Sequence, residues 1–345
     1  MNLLIYAENG VGLGHIVRTI NLANRLKSSN KNLNVLFITH SKFTKVFKLN
    51  NYRVIRVPEF VRGCNDKFDR AVLPIIKDFK PEVFMVDGYF SPGTLNSSIL
   101  ANTRKILILR KPINSEIYTI KEGNYCRSFD LIAFPHTRRE FLQYGIKKEF
   151  INSLDRRRFI FLGPIYPHSI KKKAFGNLKR KYKISHSTFN LLITFGGGGS
   201  NIDNKSINDF SNMIKALVNK LKQTKNINLI LITGPFFKSE SINPFPGIKV
   251  HKYEQYFFEL LHLVDLVITP AGYNICNEIK LAGVPSILVP IKRYKESQYE
   301  RAKLFKKPRI RDIVTNFNEE RIFKSVLSKS KKQKTNSFLN IHPIS

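Results

Sequence analysis

Residues 269–290 read Thr-Pro-Ala-Gly-Tyr-Asn-Ile-Cys-Asn-Glu-Ile-Lys-Leu-Ala-Gly-Val-Pro-Ser-Ile-Leu-Val-Pro, and this stretch decides the fold. The apolar run 266–268 just before it predicts a buried parallel strand. Apolar residues then recur at helical spacing up to Gly283, and Pro285 follows where a helix cannot continue. Residues 286–289 predict the next strand. The stretch is therefore one strand–turn–helix–strand unit of a parallel α/β sheet.

The start of this predicted helix is a candidate anion site. Free backbone N–H groups near Gly272, Tyr273 and Asn274 would point at a ligand, and phosphate is the usual guest. Glu278 lies one turn after Asn274 on the same face, where its carboxylate could accept hydrogen bonds from the two hydroxyls of a ribose. An ordinary strand–helix unit whose Glu278 points into solvent would show the same pattern, so the residues alone leave both interpretations open.

Composition limits the class of protein. The 345 residues, 42% of them hydrophobic, predict two α/β domains with ample buried cores. No apolar run is long enough to cross a bilayer, and the N-terminus begins a strand at once, with no basic leader. The three cysteines are scattered without metal-ligand spacing, so we expect reduced thiols, a cytoplasmic protein and no metal site.

The charge of the chain is strongly positive. Lys and Arg outnumber Asp and Glu by 58 to 25, a formal net charge of +33. Anionic lipid and nucleic acid would both attract such a surface, and compositional drift toward Lys, Asn and Ile would also produce it. The basic residues are spread along the chain, with no nucleic-acid-binding motif. We therefore expect drift with some affinity for anions, peripheral association with the inner face of an anionic membrane, and no nucleic-acid partner.

A glycine-rich loop follows the first predicted strand, 3–7. It reads Glu-Asn-Gly-Val-Gly-Leu-Gly-His, and Gly12 and Gly14 let the backbone fold tightly and a ligand come close. The spacing differs from the dinucleotide fingerprint. His15 stands where this loop becomes a helix, and its imidazole would face the crevice at the carboxyl end of the strand. A histidine at a helix start with no functional role is the alternative.

Other polar residues follow later strands. Asp87 comes after a buried strand and would point into the same crevice as His15. It could orient the imidazole, or it could cap the helix that begins near Thr94. Arg110 and His136 follow two further strands and are additional candidates for this crevice.

A second glycine-rich loop follows the strand 191–195 and precedes a helix. Four glycines and a serine in this position predict a phosphate-binding loop, although the Gly-Lys-Ser/Thr ending of a P-loop is missing. A flexible surface linker is the alternative interpretation. The candidate ligand residues are Gly196, Gly197, Gly198 and Ser200.

Alternating strands and helices divide the chain into two Rossmann-like domains. We predict a first domain over 1–167 and a second over 184–328, joined by a basic linker at 168–183. The last helix of the second domain is expected to return toward the first. Residues 329–345 are polar and basic, and we expect a disordered tail.

These patterns resemble the MurG-like, family 28 glycosyltransferases of GT-B type. Residues 269–290 are similar to the nucleotide-sugar signature of predicted bacterial glycosyltransferases, roughly T-x-A-G-Y-N-T-x-x-E-x-x-x-x-G-x-P-x-x-x-V-P. The matching positions are Ala271, Gly272, Tyr273, Asn274, Glu278, Gly283, Pro285 and Pro290.

The N-terminal loop resembles a signature of the same group, G-x-G-H-x-x-R-x-x-x-L-A. The UDP-sugar hydrolase of pseudaminic acid synthesis shares this signature. The matching positions are Gly12, Gly14, His15, Arg18, Leu22 and Ala23.

The resemblance implies two Rossmann-like domains facing across a cleft, and transfer of a sugar from a UDP- or TDP-sugar to a hydroxyl of a small molecule, lipid or glycan. It implies that the turn at Gly272 receives the diphosphate, that Glu278 holds the ribose and that His15, in a loop on the acceptor side with Gly12, Gly14 and Arg18, is the general base. Residues implied to meet the donor sugar are Ser297 and Gln298. From their positions after strands, we add Asp87 as a catalytic candidate and Arg110 as an acceptor-side candidate.

With His15 as the base, we expect the acceptor to attack the anomeric carbon with inversion, and we expect no cofactor apart from the donor. The sequence has no Asp-x-Asp motif, which agrees with a reaction that uses no metal. Two other functions fit parts of the sequence. A nucleotide-sugar hydrolase would use His15 to activate water. A non-enzymatic basic protein would bind nucleic acid or other anions with steep salt dependence.

Overall fold

The computed structural model describes residues 1–8, 12–59, 66–110, 124–167, 169–199, 204–238, 245, 247–292, 297–304, 311–314 and 317–333. The chain forms two compact units, Met1–Ser169 and Ile170–Ser345. Within the described residues, no helix combines the length and the hydropathy needed to span a bilayer.

The first unit is a seven-stranded, entirely parallel sheet with the order β3-β2-β1-β4-β5-β6-β7. Its strands are β1 (Asn2–Ala7), β2 (Asn34–Thr39), β3 (Arg53–Arg56), β4 (Val83–Asp87), β5 (Arg104–Ile108), β6 (Leu131–Phe134) and β7 (Phe159–Phe161). Its helices are α1 (Gly14–Ser29), α2 (Lys45–Leu49), α3 (Asp66–Phe79), α4 (Pro92–Leu95), α5 (Asn124–Arg127), α6 (Arg138–Gln143) and α7 (Lys148–Asn152), with a 3-10 turn at Ser98–Leu100.

The order of the strands reverses between β1 and β4, where Ala7 pairs with Asp87. In an open parallel sheet, ligands bind outside the carboxyl ends of the strands at such a reversal. The central strands are buried runs of apolar residues, as parallel strands covered on both faces must be. The first glycine loop and Asp87 therefore meet at one point of the sheet.

The second unit repeats this plan with six parallel strands in the order β10-β9-β8-β11-β12-β13. Its strands are β8 (Phe189–Thr194), β9 (Ile227–Ile232), β10 (Val250–His251), β11 (Leu266–Thr269), β12 (Ser286–Leu288) and β13 (Arg311–Ile313). Its helices are α8 (Ala174–Tyr182), α9 (Asn204–Lys222), α10 (Phe257–Leu261), α11 (Tyr273–Ala282), α12 (Gln298–Leu304) and α13 (Glu319–Gln333).

The reversal in the second sheet lies between β8 and β11, where Ile193 pairs with Ile268. The loop after β8 holds the second glycine cluster, and the turn after β11 starts α11. Helix α11 ends at Gly283 in the left-handed conformation (φ 69°), which glycine adopts without strain. Two parallel α/β sheets and this strand–turn–helix–strand unit confirm the predicted fold class.

The predicted linker 168–183 is wrong over most of its length. Residues Ala174–Tyr182 form α8, and Ala174, Leu178 and Tyr182 are buried in the core of the second unit. Because only one face of α8 packs against the core, the other face can carry the basic residues that suggested a linker.

The predicted tail is also wrong at its start, since α13 continues to Gln333; residues 334–345 lie outside the described part of the chain. Ile322 and Val326 of α13 are buried in the core of the second unit, and α13 packs against α9. This helix is therefore anchored in the core of the second unit by apolar burial, and its expected return toward the first domain stays a prediction.

Candidate active site

His15 and Asp87 are in contact at the reversal point of the first sheet. His15 lies in the first turn of α1, and its Nδ1 is 2.7 Å from Asp87 Oδ1 at the end of β4. An ionised carboxylate only accepts hydrogen bonds, so in the neutral imidazole Nδ1 is the protonated nitrogen and Nε2 is an acceptor. Arg18 Nη2 also lies 3.2 Å from Nδ1. The His15 side chain is 25% exposed and that of Asp87 is 1% exposed. The Asp87 carboxylate is therefore buried, whereas the His15 imidazole is accessible to a ligand.

Arg18 is the second partner of Asp87. Its Nε donates to Oδ2 at 2.8 Å and its Nη2 donates to Oδ1 at 2.6 Å. This is the bidentate geometry that a planar guanidinium forms with a carboxylate. Burial alone would raise the pKa of Asp87, but Arg18 and then His15 outweigh it and lower the pKa to about 2. Asp87 is therefore ionised at neutral pH and fixed from two sides.

These contacts decide between the two roles considered for Asp87. It orients His15; the cap of α4 is Ser91, whose hydroxyl accepts from the backbone N–H of Thr94. Arg18, which the resemblance placed on the acceptor side, is buried and donates to Asp87; its role toward an acceptor stays a prediction. Its spacing of three residues from His15 puts both on one face of α1, which is the signal that sequence reasoning missed.

The remaining candidates of the first unit lie around this pair. Gly12 and Gly14 lie on either side of Leu13, the N-cap residue of α1, and Gly14 is the first residue of that helix. Arg110 is half-buried after β5, and no hydrogen bond joins it to His15 or Asp87 in the described part of the unit. His136 is buried against Phe141 and Tyr144, so packing accounts for its position.

Glu8 is a residue that sequence reasoning passed over. Its backbone N–H donates to Asp87 O at 3.0 Å, and its Oε2 accepts from the N–H of Tyr89 at 3.0 Å. The loops after β1 and β4 are thereby tied together directly beside Asp87. An acidic residue immediately after the first strand was the available signal.

In the second unit, the start of α11 has the form of an anion site. Gly272 is the N-cap residue, in extended conformation and without a side-chain cap, and the first turn has no acidic residue. The first N–H groups of a helix have no partner within it, and this end of the helix dipole is positive. The turn that contains Gly272, Tyr273 and Asn274 therefore suits a negatively charged group.

Glu278 points inward, which overturns the alternative of a solvated side chain. It is 8% exposed, and no described residue forms a hydrogen bond or ion pair with its carboxylate. Burial and the nearby Glu259 raise the pKa of Glu278 to about 8. Glu259 is itself buried on α10 and accepts from the N–H of Lys171 at 2.8 Å. A buried carboxyl group without a partner is suited to bind hydroxyl groups of a ligand.

The second glycine loop is part of the packed unit and not a flexible linker. Gly198 N donates to Phe195 O at 3.2 Å, and Phe236 N donates to Gly197 O at 3.2 Å. A Cβ on Gly198 would lie 2.3 Å from Thr233 O, so this close approach requires glycine. Gly196 N donates to Thr194 Oγ1, so two of the loop's amides are already used within the chain. Ser200 lies outside the described residues.

Helix α12 brings two buried side chains toward these elements. Gln298 is buried, and its Oε1 accepts from Ile291 N at 3.1 Å. Arg301 donates from Nη1 to Ala271 O at 2.9 Å. Ser297 caps the helix, accepting from Glu300 N. The roles of Ser297 and Gln298 toward a donor sugar stay predictions. No three His, Cys, Asp or Glu side chains of the described residues are grouped so that they could hold a metal ion.

Comparison with known proteins adds evidence of a different kind. Residues 197–338 match the model of the glycosyltransferase family 28 C-terminal domain. The uncharacterized protein MJ1062 of Methanocaldococcus jannaschii is 25% identical over 308 residues, which are 84% of this chain and 55% of that protein. This chain therefore aligns with little more than half of that relative.

A second relative is matched over most of its length. It is the UDP-N-acetylglucosamine–N-acetylmuramyl-(pentapeptide) pyrophosphoryl-undecaprenol N-acetylglucosamine transferase of Fusobacterium nucleatum, 25% identical over 94% of this chain and 85% of that protein. Among solved structures, the glycotransferase of kitacinnamycin superposes with a TM-score of 0.60 at 13% identity, over 97% of this chain and 93% of that one. At this identity the superposition supports the fold.

Proposed function

We propose that the chain is a GT-B glycosyltransferase of family 28 that transfers a sugar from a UDP-sugar to a hydroxyl acceptor with inversion and without a metal; the match to the family model, the relatives and the shared fold support the proposal. The proposed binding of the UDP-sugar donor is based on one observation. The part that matches the family model contains both the start of α11, where Gly272 makes no side-chain cap hydrogen bond, and the buried carboxyl group of Glu278, which no residue in the described part of the chain contacts by a hydrogen bond or ion pair.

On this proposal the donor is held mainly by α11. The N–H groups after Gly272 bind the diphosphate, where the positive end of the helix dipole favours negative charge. The carboxyl group of Glu278 binds the ribose hydroxyls, which supply the hydrogen bonds that the folded chain leaves unmade. The developing charge of the leaving diphosphate is stabilised by groups already in position, so no reorganisation is needed during the reaction.

The acceptor is activated by His15 in this proposal. Nε2 takes the proton of the acceptor hydroxyl while its oxygen attacks the anomeric carbon. The bond from that carbon to the diphosphate oxygen breaks, and the diphosphate leaves with the electron pair. Asp87 stabilises the imidazolium that forms, since its ionised carboxylate lies 2.7 Å from Nδ1. Arg18 keeps that carboxylate ionised and oriented.

The acceptor is suggested by the second relative, whose name specifies an undecaprenol-linked substrate. We propose a lipid-linked sugar as the acceptor class. Such an acceptor would bring the enzyme to an anionic membrane surface, for which a net charge of +33 is suited.

The test is a product assay with UDP-N-acetylglucosamine as donor, with and without an undecaprenyl-diphosphate-linked sugar. We expect UDP release that depends on the acceptor and a product of inverted anomeric configuration, measured by NMR. Retained configuration contradicts the inverting step. UDP and free sugar released at the same rate without acceptor would instead indicate the hydrolase.

A further inference from the structure

Arg301 reaches from α12 to the turn that begins α11. Its Nη1 donates to the carbonyl oxygen of Ala271 at 2.9 Å, and Ala271 immediately precedes the N-cap residue Gly272. Arg301 is 7% exposed and Ala271 is fully buried. The guanidinium is therefore a built part of this turn and not a mobile surface group.

A second contact fixes the same guanidinium on the other side of Gly272. The Arg301 Cζ lies 5.7 Å from the ring centroid of Tyr273, within the range of a cation–π interaction. The two contacts hold one arginine to residues 271 and 273, directly before and after the N-cap.

The charge in this position is unusual. A guanidinium does not lose its proton in a protein, so Arg301 is buried as a cation. Cations are favoured at the C-terminal end of a helix, yet Arg301 lies at the N-terminal end of α11, whose first turn has no acidic residue. Its positive charge adds to that of the dipole. An anion bound at the turn would be attracted by both.

We propose that Arg301 gives the donor site a fixed positive charge that selects the diphosphate of the donor and stabilises it as it leaves. This proposal rests on the proposed function, since it concerns the turn at Gly272 that is proposed to bind the diphosphate of the donor. Arg301 transfers no proton in this role: the diphosphate leaves with the electron pair of the broken bond, and the guanidinium stays protonated throughout. Arg301 acts as a positioning residue by holding the turn through Ala271, and as a source of charge for the site.

A purely structural role for Arg301, in which it only holds the turn in shape, predicts a different result. If Arg301 only holds the turn in shape, its loss should weaken binding of every ligand that uses the second unit. If it supplies charge, its loss should weaken only ligands that carry phosphate. The preference for UDP over uridine separates the two, because both contain the same base and ribose.

The experiment is isothermal titration of UDP, UMP and uridine against the full chain and three variants. For Arg301→Gln we expect UDP affinity to fall about 10- to 100-fold, the range of a lost charge-assisted contact, and uridine affinity to change less than about threefold. The control is Lys303→Gln, which removes the same charge from the same helix at an exposed position, 3.4 Å from Glu300. It should leave both affinities unchanged.

The third variant, Arg301→His, keeps the proposal testable should Arg301→Gln fail to fold. Its imidazole is charged at pH 5.5 and neutral at pH 8, so its UDP-over-uridine preference should fall about tenfold more than that of the wild type between these values. Equal losses for UDP and uridine in Arg301→Gln, or parallel pH curves for Arg301→His and wild type, would overturn the proposal. A wild-type chain that binds UDP no better than uridine would instead overturn the proposed function.

Discussion

Asp87 and Glu278 are both buried carboxyl groups, one in each unit, and their surroundings are opposite. Asp87 receives hydrogen bonds from Arg18 and His15, and its pKa is lowered to about 2. Glu278 has no hydrogen-bond or ion-pair partner in the described part of the chain, and its pKa is raised to about 8. In the first unit the carboxylate is neutralised by side chains of the same unit. In the second unit, within the described residues, the carboxyl group of Glu278 has no such partner, and a ligand can supply one.

This difference in surroundings matches the different roles proposed for the two units, catalysis for the first and donor binding for the second. A base must be oriented before the substrate arrives, which requires side chains that fix one another. A binding site gains from groups whose hydrogen bonds are made only with the ligand. The predictions below test each side of this comparison.

The largest effect is expected from removing the imidazole. His15→Ala should lower the rate of sugar transfer about 10²- to 10⁴-fold, because the acceptor loses its general base, while UDP affinity stays unchanged. Steady-state kinetics and calorimetry measure the two quantities. The exposed His186 offers a matched control, His186→Ala, with no expected effect. A His15→Ala variant as fast as the wild type would exclude His15 as the base.

The next effect concerns the paired carboxylate. Asp87→Asn should lower the free energy of unfolding by about 3–5 kcal/mol, since Arg18 stays buried and charged without its counterion. Urea denaturation at pH 7 measures this, with the exposed Asp78→Asn as control. A loss no larger than in Asp78→Asn would show that the ion pair contributes nothing.

Acid should narrow the difference in the free energy of unfolding between Asp87→Asn and the wild type. The folded-state pKa of Asp87 is lowered from 3.8 to about 2, so its stabilising contribution is present above 3.8 and is lost as the pH falls toward 2. The unfolding free energies of the two proteins should therefore converge over this interval. Curves that stay parallel down to pH 2 would contradict the assignment.

The unpaired carboxyl group should behave in the opposite way. Because the folded-state pKa of Glu278 is raised from 4.5 to about 8, the free energy of unfolding of the wild type should fall as the pH rises through this interval. Glu278→Gln lacks this dependence, so at pH 8 it should be more stable than the wild type, by a difference on the order of 3 kcal/mol. Above pH 8, where the wild-type group is ionised, the UDP affinity of Glu278→Gln should be lower than that of the wild type, since the amide offers one acceptor oxygen where the carboxylate offers two.

Urea denaturation from pH 4 to 9 and calorimetry with UDP measure these two changes. The exposed Glu149→Gln is the control, for which both should be absent. A Glu278→Gln variant that binds UDP as tightly as the wild type would remove Glu278 from the donor site.

The smallest effect is expected in the second glycine loop. Gly198→Ala should cost about 1–3 kcal/mol, because its φ of 74° is unfavourable for alanine and the new Cβ would lie 2.3 Å from Thr233 O. Thermal unfolding measures the loss. Gly176 of α8 is a matched control, since a methyl group added there would meet no atom within 4 Å, and Gly176→Ala should instead stabilise by about 0.5–1 kcal/mol. Equal effects of the two substitutions would show that the loop is not closely packed.

Much of the fold could be predicted because its signals are local. Apolar runs such as 266–268 form buried strands, and Gly283 ends α11 where the sequence indicated. The linker prediction failed because local composition was trusted over periodicity. The basic residues of 168–183 obscured Ala174, Leu178 and Tyr182, whose helical spacing forms the buried face of α8.

The sequence indicated several polar residues at the ends of strands, but it did not decide which of them contact one another. The choice between two roles for Asp87 depended on His15, 72 positions away, and on the pairing of Ala7 with Asp87 between β1 and β4. Arg18 was placed among the acceptor-side residues without a partner, and Arg301 received no role although it lies only three residues after Gln298. The spacing of His15 and Arg18 was a local signal, whereas the contacts of Arg18 with Asp87 and of Arg301 with Ala271 join segments far apart in the sequence.

The amino-acid sequence by itself determined the alternation of strands and helices, the placing of polar loops at the carboxyl ends of strands, and the identity of most residues in them. These features depend on interactions between residues a few positions apart. Only the tertiary structure decided that Asp87 is ionised and paired while Glu278 is buried without a partner. The reason is that solvent exclusion and charge pairing are set by segments distant in the chain, which come together only when the sheets form.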